Sequence, residues 1–239
     1  MIRATMYQRR HQKSSQAIAK PYRFLQLPMS VDTETLVAEL ANVDLPWLSS
    51  QWKWHLGTFF CILRAGSPGN YLGHEMISGA GVDAPILSKL PAFKHFLDHG
   101  FPIPVSLAWI GLSPANSCIK LHIDNTTHWD EHHRLHIPLQ TNAEARLCCL
   151  GKFLHLKAGT VWAFNNSVPH GALNTGSARL HLMVDLPSTA AVENLLASGQ
   201  MYDGELDSAA LARLSSNPLQ GLSEDISANR DLMNRLLQQ

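Results

Sequence analysis

At 239 residues and 45% apolar content, the chain is long enough for one substantial domain with an appendage and has the composition of a soluble globule. Lys plus Arg and Asp plus Glu number 19 each, so no basic excess draws it to nucleic acid or to an anionic membrane surface. No run approaches the roughly 20 apolar residues of a membrane helix, no secretory segment follows the start, and the four cysteines (Cys61, Cys118, Cys148, Cys149) lack the CxxC spacing of a zinc ribbon or a disulfide framework, which points to the reducing cytoplasm.

The first 23 residues carry Arg3, Arg9, Arg10, Lys13, Lys20 and Arg23 with no acid. Residues 1–25 read as a basic tail, with an organellar transit segment as the alternative. In "VDTETLVAEL", Leu36 and Leu40 stand four apart on one face of a short helix. The stretch "PWLSSQWKWH" offers Trp47, Trp52 and Trp54 either as packing or as a substrate wall. A second helix is predicted over "LPAFKHFLDHG", with Pro91 at its start, Phe93, Phe96 and Leu97 inward, and Gly100 ending it.

From about Val105 to Asp185 the texture changes to short β-branched and aliphatic runs separated by Asn, Gly and Thr clusters, the pattern of an antiparallel β sandwich or barrel. The clearest turn is in "LKAGTVWAFNN", at Ala158 and Gly159. Beyond Pro187, "AAVENLLASG", "DSAALARLSS" and "DLMNRLLQQ" have helical spacing. Residues 188–239 are therefore expected to be helices that pack on the sheet or mediate self-association.

Five of the thirteen histidines fall between Ile119 and Gln140. Side chains alternate along a strand, so in "IKLHID" Ile119, Leu121 and Ile123 take one face and Lys120, His122 and Asp124 the other. The phase recurs in "RLHIPL", with Leu135, Ile137 and Leu139 against Arg134 and His136. It recurs again in "RLHLMVD", with Leu180, Leu182 and Val184 against Arg179, His181 and Asp185. A solvent-facing sheet explains any one such strand. Three strands repeating His and Arg, where Lys, Glu, Thr and Ser are usual, favour a polar pocket.

His122 and Asp124 stand roughly 7 Å apart along the strand with parallel side chains, so both can reach one metal ion. His170, in "NNSVPHGALN", is the candidate third ligand. Two imidazoles and a carboxylate leave adjacent positions open, as non-haem iron(II) needs to hold a bidentate cosubstrate and dioxygen; a structural zinc site is more often closed by four ligands. Arg179 is suited to the far carboxylate of a dicarboxylate cosubstrate, where a guanidinium fork is the best partner in a low dielectric. The polar insertion "NTTHWDEHH" reads as a solvated loop or as a lid carrying His128 and Trp129, and His155 as a satisfied core histidine.

Taken together, "HID", "RLHIPLQTN", "AGTVWAFNN", "HGALN" and "RLHLMVD" resemble the aspartyl/asparaginyl β-hydroxylase family of iron(II)- and 2-oxoglutarate-dependent oxygenases, which includes peptide hydroxylases and bacterial free-proline cis-hydroxylases. The resemblance covers about residues 103–187. It implies a mainly β fold, a double-stranded β-helix (a cupin-like jelly roll) over residues 26–187, flanked by N-terminal helices and the C-terminal helical segment. It also implies that His122, Asp124 and His170 ligate Fe(II), that Arg179 grips the distal carboxylate of 2-oxoglutarate, and that Arg134 and His136 lie near its metal-binding end. The expected activity is hydroxylation of an unactivated carbon of an amino acid, free or in a peptide, with dioxygen as co-reactant. A cupin-like metal enzyme without 2-oxoglutarate and a non-catalytic binding module are the alternatives.

Overall fold

The structure, a computed structural model, describes residues 20–50, 52, 54–55, 57–65, 81–124 and 127–215. The expected helix in "DLMNRLLQQ" and most of the basic tail lie outside these residues. The chain opens with β1 (Phe24–Ser30), α1 (Thr33–Ala41), β2 (Leu48–Ser49), β3 (Phe59–Ala65), β4 (Val82–Asp83) and α2 (Pro91–His99). Eight strands follow in close succession: β5 (Leu107–Ser113), β6 (Ser117–His122), β7 (His132–Gln140), β8 (Ala145–Cys149), β9 (Lys152–Leu154), β10 (Thr160–Phe164), β11 (His170–Asn174) and β12 (Arg179–Pro187). The C-terminal part adds α3 (Ala190–Ala197), β13 (Gln200–Tyr202), β14 (Glu205–Leu206) and α4 (Ser208–Ser215). No helix among the described residues is long and apolar enough to cross a membrane.

All strand pairs are antiparallel and fall into two sheets. The larger runs β13-β1-β10-β7-β12-β5-β3-β2, with β4 on β3; the smaller runs β14-β9-β8-β11-β6. The eight strands β5–β12 pass between the sheets so that β5, β12, β7 and β10 face β6, β11, β8 and β9. This is the double-stranded β-helix, or jelly roll. The sheets reach further along the chain than residues 105–185. The runs "FLQLPMS" and "FFCILRA" join the larger sheet, and two short strands between α3 and α4 cap its β1 edge and the β9 edge of the smaller one. In β1, Phe24, Leu25 and Leu27 are buried on both faces of the sheet, which removes the alternation by which a half-exposed strand is recognised.

The phase read in β7 and β12 holds. Leu135, Ile137, Leu139, Leu180, Leu182 and Val184 form one apolar face, covered by Leu36 and Leu40 of α1, Phe93 and Leu97 of α2, and Val192 and Leu196 of α3. The helices are held at their starts by designed-in acceptors. Asp32 caps α1 through Thr35 N at 3.1 Å, and the Glu39 carboxylate of α1 accepts from Ala92 N and Phe93 N at 2.7 and 3.2 Å, satisfying the open N-terminus of α2. The opposite faces of β7 and β12 look across at the smaller sheet, so the His, Arg and Asp residues line an interior and not the surface.

In β6 the phase differs from the expectation. His170 is opposite His122 and Ala172 opposite Ile119, so three steps on β6 match two on β11, a β-bulge. The extra residue puts Ile119 on the same inner side as His122, against Leu147, Leu156 and Phe164, whereas Cys118 and Leu121 turn outward to Ala210 and Leu214 of α4. Gly171 makes the bulge feasible, because a Cβ there would stand 2.6 Å from the Ile119 carbonyl oxygen. The turn read at Ala158–Gly159 is also present, with Gly159 at φ 76°. Gly171→Ala is expected to lower unfolding free energy by about 1–3 kcal/mol, the usual cost of forcing atoms into a filled interior; urea denaturation showing less than about 0.5 kcal/mol of change would contradict this account of the bulge.

Candidate active site

The bulge ends β6 at His122, and the backbone then turns so that Asp124 N donates to Asn166 O at 2.9 Å. Asn166 belongs to the turn joining β10 to β11, where Asn165 Oδ1 accepts from Ser167 N at 3.1 Å, a local turn that places Pro169 and His170 at the head of β11. The two imidazoles face each other with ring centroids 4.2 Å apart. His122 Nδ1 is 2.8 Å from Lys120 O, and His170 Nδ1 is 2.9 Å from Val168 O. A carbonyl only accepts, so each Nδ1 carries the proton and each Nε2 presents a lone pair.

His122 Nε2 to Asp124 Oδ1 and His170 Nε2 to Asp124 Oδ2 are both 3.9 Å, and all three ligand atoms lie within 4.8 Å of one another. Two ligands at about 2.1 Å on opposite sides of one ion would stand roughly 4.2 Å apart, so the group has the spacing of a shared metal site. Burial lowers the His170 pKa to about 4, against the opposing pull of Asp124. Burial would raise that of Asp124, but His170, Arg134 and His122 outweigh it and hold the carboxylate ionised. A neutral imidazole and an ionised carboxylate are the protonation states that bind metal.

A cavity of about 160 Å³ is lined by this triad and by Arg134, His136, Arg179 and His181, the polar faces of β7 and β12. Arg179 is buried; among the described residues its one side-chain hydrogen bond is from Nη2 to Ser113 Oγ at 3.2 Å, and no carboxylate pairs with it. Burial lowers it to about 10, so it is charged at neutral pH. Among the described residues, Arg179 Nε, His136 Nε2 and His181 Nε2 are buried without partners. Burial, reinforced by the neighbouring arginines, lowers His136 to about 3 and holds His181 well below its ordinary value, so both are neutral. One guanidinium and two uncharged imidazoles thus end in unsatisfied polar atoms around one cavity, which fits an anionic group supplied from outside the chain.

Arg134 is placed differently. Its Nε and Nη2 donate to Asp185 Oδ1 and Oδ2, both at 2.8 Å, and its guanidinium is 4.3 Å from the ring centres of both Trp109 and Trp129. His128 Nε2 lies 2.8 Å from Asp185 Oδ2. The polar insertion is therefore fastened to the site through His128 and Trp129, and His128 is not in the metal group. His155 Nδ1 is satisfied by Ala145 O at 3.0 Å, away from the triad. Trp47 is core packing, Trp52 lines the cavity, and Trp54 stacks on His122 at 6.5 Å between centroids.

The six residues picked from the sequence, His122, Asp124, His170, Arg134, His136 and Arg179, all line this one cavity. Sequence reasoning gave no role to Ser113, Asn166, His55 or Asp185. His55 Nε2 lies 3.3 Å from His122 Nε2, from a segment with no readable period. Asp185 shares the Arg179–His181 strand phase, and that was its one available signal.

Residues 79–189 match the family described as Aspartyl/Asparaginyl beta-hydroxylase. An L-proline cis-4-hydroxylase of Rhizobium meliloti (strain 1021) is 26% identical over 179 residues, covering 73% of this chain and 61% of that protein. Among solved structures, a 2OG-Fe(II) oxygenase family oxidoreductase from Burkholderia pseudomallei aligns with TM-score 0.46 and 14% identity over 68% of this chain and 82% of that one. A Pseudomonas putida prolyl-4-hydroxylase aligns with TM-score 0.43 and 14% identity over 71% and 95%.

Removing the acid that holds Arg134 is expected to be costly. Burial alone would raise the Asp185 pKa, but Arg134 and then His128 hold the carboxyl far below its ordinary range. The unfolded chain then takes up a proton near pH 4 that the folded chain refuses, so the pair's stabilisation is present above about pH 4 and is lost as pH falls below it. Asp185→Asn should lower stability by about 3–5 kcal/mol at pH 7, the cost of leaving one buried partner alone, and should flatten the decline between pH 5 and 3 in urea unfolding.

Proposed function

We propose that this chain belongs to the aspartyl/asparaginyl β-hydroxylase family, whose description matches residues 79–189, and is an Fe(II)- and 2-oxoglutarate-dependent hydroxylase acting on an unactivated carbon of an amino acid, free or within a peptide. The observation that carries the reading is the buried Arg179, without a carboxylate partner among the described residues, in the same cavity as the His122, Asp124 and His170 group. In this reading His122, Asp124 and His170 hold the iron and leave adjacent positions open. Arg179 and Ser113 receive the distal carboxylate of 2-oxoglutarate, and His136 and Arg134 border the end nearer the metal. When bound, iron(II) supplies oxidation by dioxygen, coupled to the splitting of 2-oxoglutarate into succinate and carbon dioxide.

The chain's own residues position reactants and exclude water. Phe164, Leu147, Leu156 and Ala172 give the cavity apolar walls, within which the charge on Arg179 acts in a low dielectric. Arg134, clamped by Asp185 and two tryptophans, presents a fixed positive edge to the cavity with little rotamer freedom to lose on binding. A reducing cytoplasm would keep the four cysteines, all free thiols, in that state.

L-proline, the substrate named for the 26% identical relative, heads the candidate panel of free amino acids, with prolyl peptides beside it. Anaerobic titration with iron(II) and then 2-oxoglutarate should give the charge-transfer absorption of the chelate, and amino-acid-stimulated succinate release should follow on admitting air. An absent absorption band would end the proposal. His170→Ala should abolish both signals. Arg179→Leu should retain metal but raise the 2-oxoglutarate concentration needed by at least about 30-fold, the equivalent of ~2 kcal/mol for an unpaired buried carboxylate; an unchanged requirement would remove Arg179 from the cosubstrate site.

A further inference from the structure

The acidic member of the triad is held from behind by a residue far from it in sequence. Lys20, four residues before β1, donates from Nζ to Asn166 Oδ1. Asn166, itself 2% exposed, donates from Nδ2 to Asp124 Oδ2 at 3.1 Å and accepts from Asp124 N through its backbone carbonyl at 2.9 Å. The Lys20 backbone is tied to the same turn, its carbonyl accepting from Asn165 Nδ2 at 3.3 Å. Lys20 lies outside the family match at 79–189 and within the stretch whose composition reads as a tail.

A primary amide has one accepting end and one donating end, and an ammonium can only donate. The bond from Lys20 therefore fixes which way Asn166 faces: Oδ1 to the lysine, Nδ2 to the aspartate. Asp124 Oδ2 is thereby engaged, and Oδ1 is the oxygen left to the metal. Single-oxygen ligation matters here, because a second carboxylate oxygen on the ion would occupy a position that cosubstrate and dioxygen need. We propose that Lys20 and Asn166 form a positioning relay that makes Asp124 a one-oxygen metal ligand, so that the segment before the first strand belongs to the active site.

The proposal rests on the assignment of Asp124 as a ligand. At neutral pH the lysine is mostly the ammonium that the relay needs, since burial lowers it to about 8 against the opposing pull of Asp124. Its charge also has a competing effect. An ammonium near a cation site repels the metal, so if charge alone mattered, removing Lys20 would tighten binding. The relay predicts the opposite sign.

The test is calorimetric titration of the full chain with Mn2+, which reads metal affinity without turnover, for the wild type, Lys20→Met, Lys20→Arg, Asn166→Leu and the Lys20→Met/Asn166→Leu double variant. Loss of a hydrogen bond to a ligating carboxylate typically weakens metal affinity by about 10- to 100-fold. Asn166→Leu should fall in that range, Lys20→Met should weaken binding by about 10-fold, Lys20→Arg should restore most of it, and the double variant should be no worse than Asn166→Leu alone. Lys20→Met leaves the buried amide in place, so it reads the relay even if Asn166→Leu fails to fold. Affinity in Lys20→Met equal to or tighter than wild type, or additive losses in the double variant, would overturn the relay and leave the proposed activity standing. A wild-type chain that binds no Mn2+ would remove both.

Discussion

A buried charge without an opposite charge beside it is among the most expensive features a fold can carry, and the active-site reading depends on Arg179, which has no carboxylate partner among the described residues. Three arginines in or beside the cavity make the comparison internal. Arg64 is buried and bonds Asp83, Asp98 and the Val105 carbonyl. Arg134 bonds both oxygens of Asp185. Arg179, also buried, has among the described residues a single side-chain partner, the Ser113 hydroxyl. Among the described residues, the first two have carboxylate partners and the third has none. A dicarboxylate occupant would complete the set, and the desolvation already incurred in folding would not be incurred again on binding.

The jelly roll explains how such a residue is kept in place. Each of β7 and β12 has a continuous apolar face under the helices, so register is enforced from the outside: a slip of one residue would turn Leu135, Ile137, Leu180 and Leu182 into the cavity and Arg134, His136, Arg179 and His181 into the helix layer. The polar interior is thus specified by packing on the opposite side of the same strands. The smaller sheet contributes His122 and His170 of the candidate metal group at strand ends, where β6 finishes and β11 begins, and backbone carbonyls fix both imidazole tautomers there.

Much of this was legible in the residues. Two-residue periodicity gave the faces of β7 and β12 correctly, because both strands are regular and have one wholly apolar face. It failed for Ile119, since a bulge inserts a residue without altering composition, and the glycine that permits it sits on the neighbouring strand 52 positions later. β1 was missed because burial on both faces erases alternation, and β13 and β14 because two- and three-residue edge strands carry no period at all. Of the residues that the fold brings to the cavity, those on the regular strands or in spaced motifs were the ones picked from the sequence. Ser113, Asn166 and His55 were not, since each acts through a contact that only the fold creates.

The five histidines between Ile119 and Gln140 show why composition alone misleads about a site. His122 is one of the three residues that could hold a metal ion. His128 bonds Asp185 and fastens the loop, and His132 stacks on it at 4.4 Å between centroids with the rings 7° from parallel. His133 reaches outward to Glu193 of α3 at 2.6 Å, and His136 turns inward to the cavity, its Nε2 without a partner among the described residues. One imidazole in five joins the group that could hold a metal; three bond a carboxylate or stack, and His136 faces the cavity. What separates them is strand parity and the partner each Nδ1 or Nε2 meets, and both are decided by the two sheets that the apolar faces of the strands hold in register.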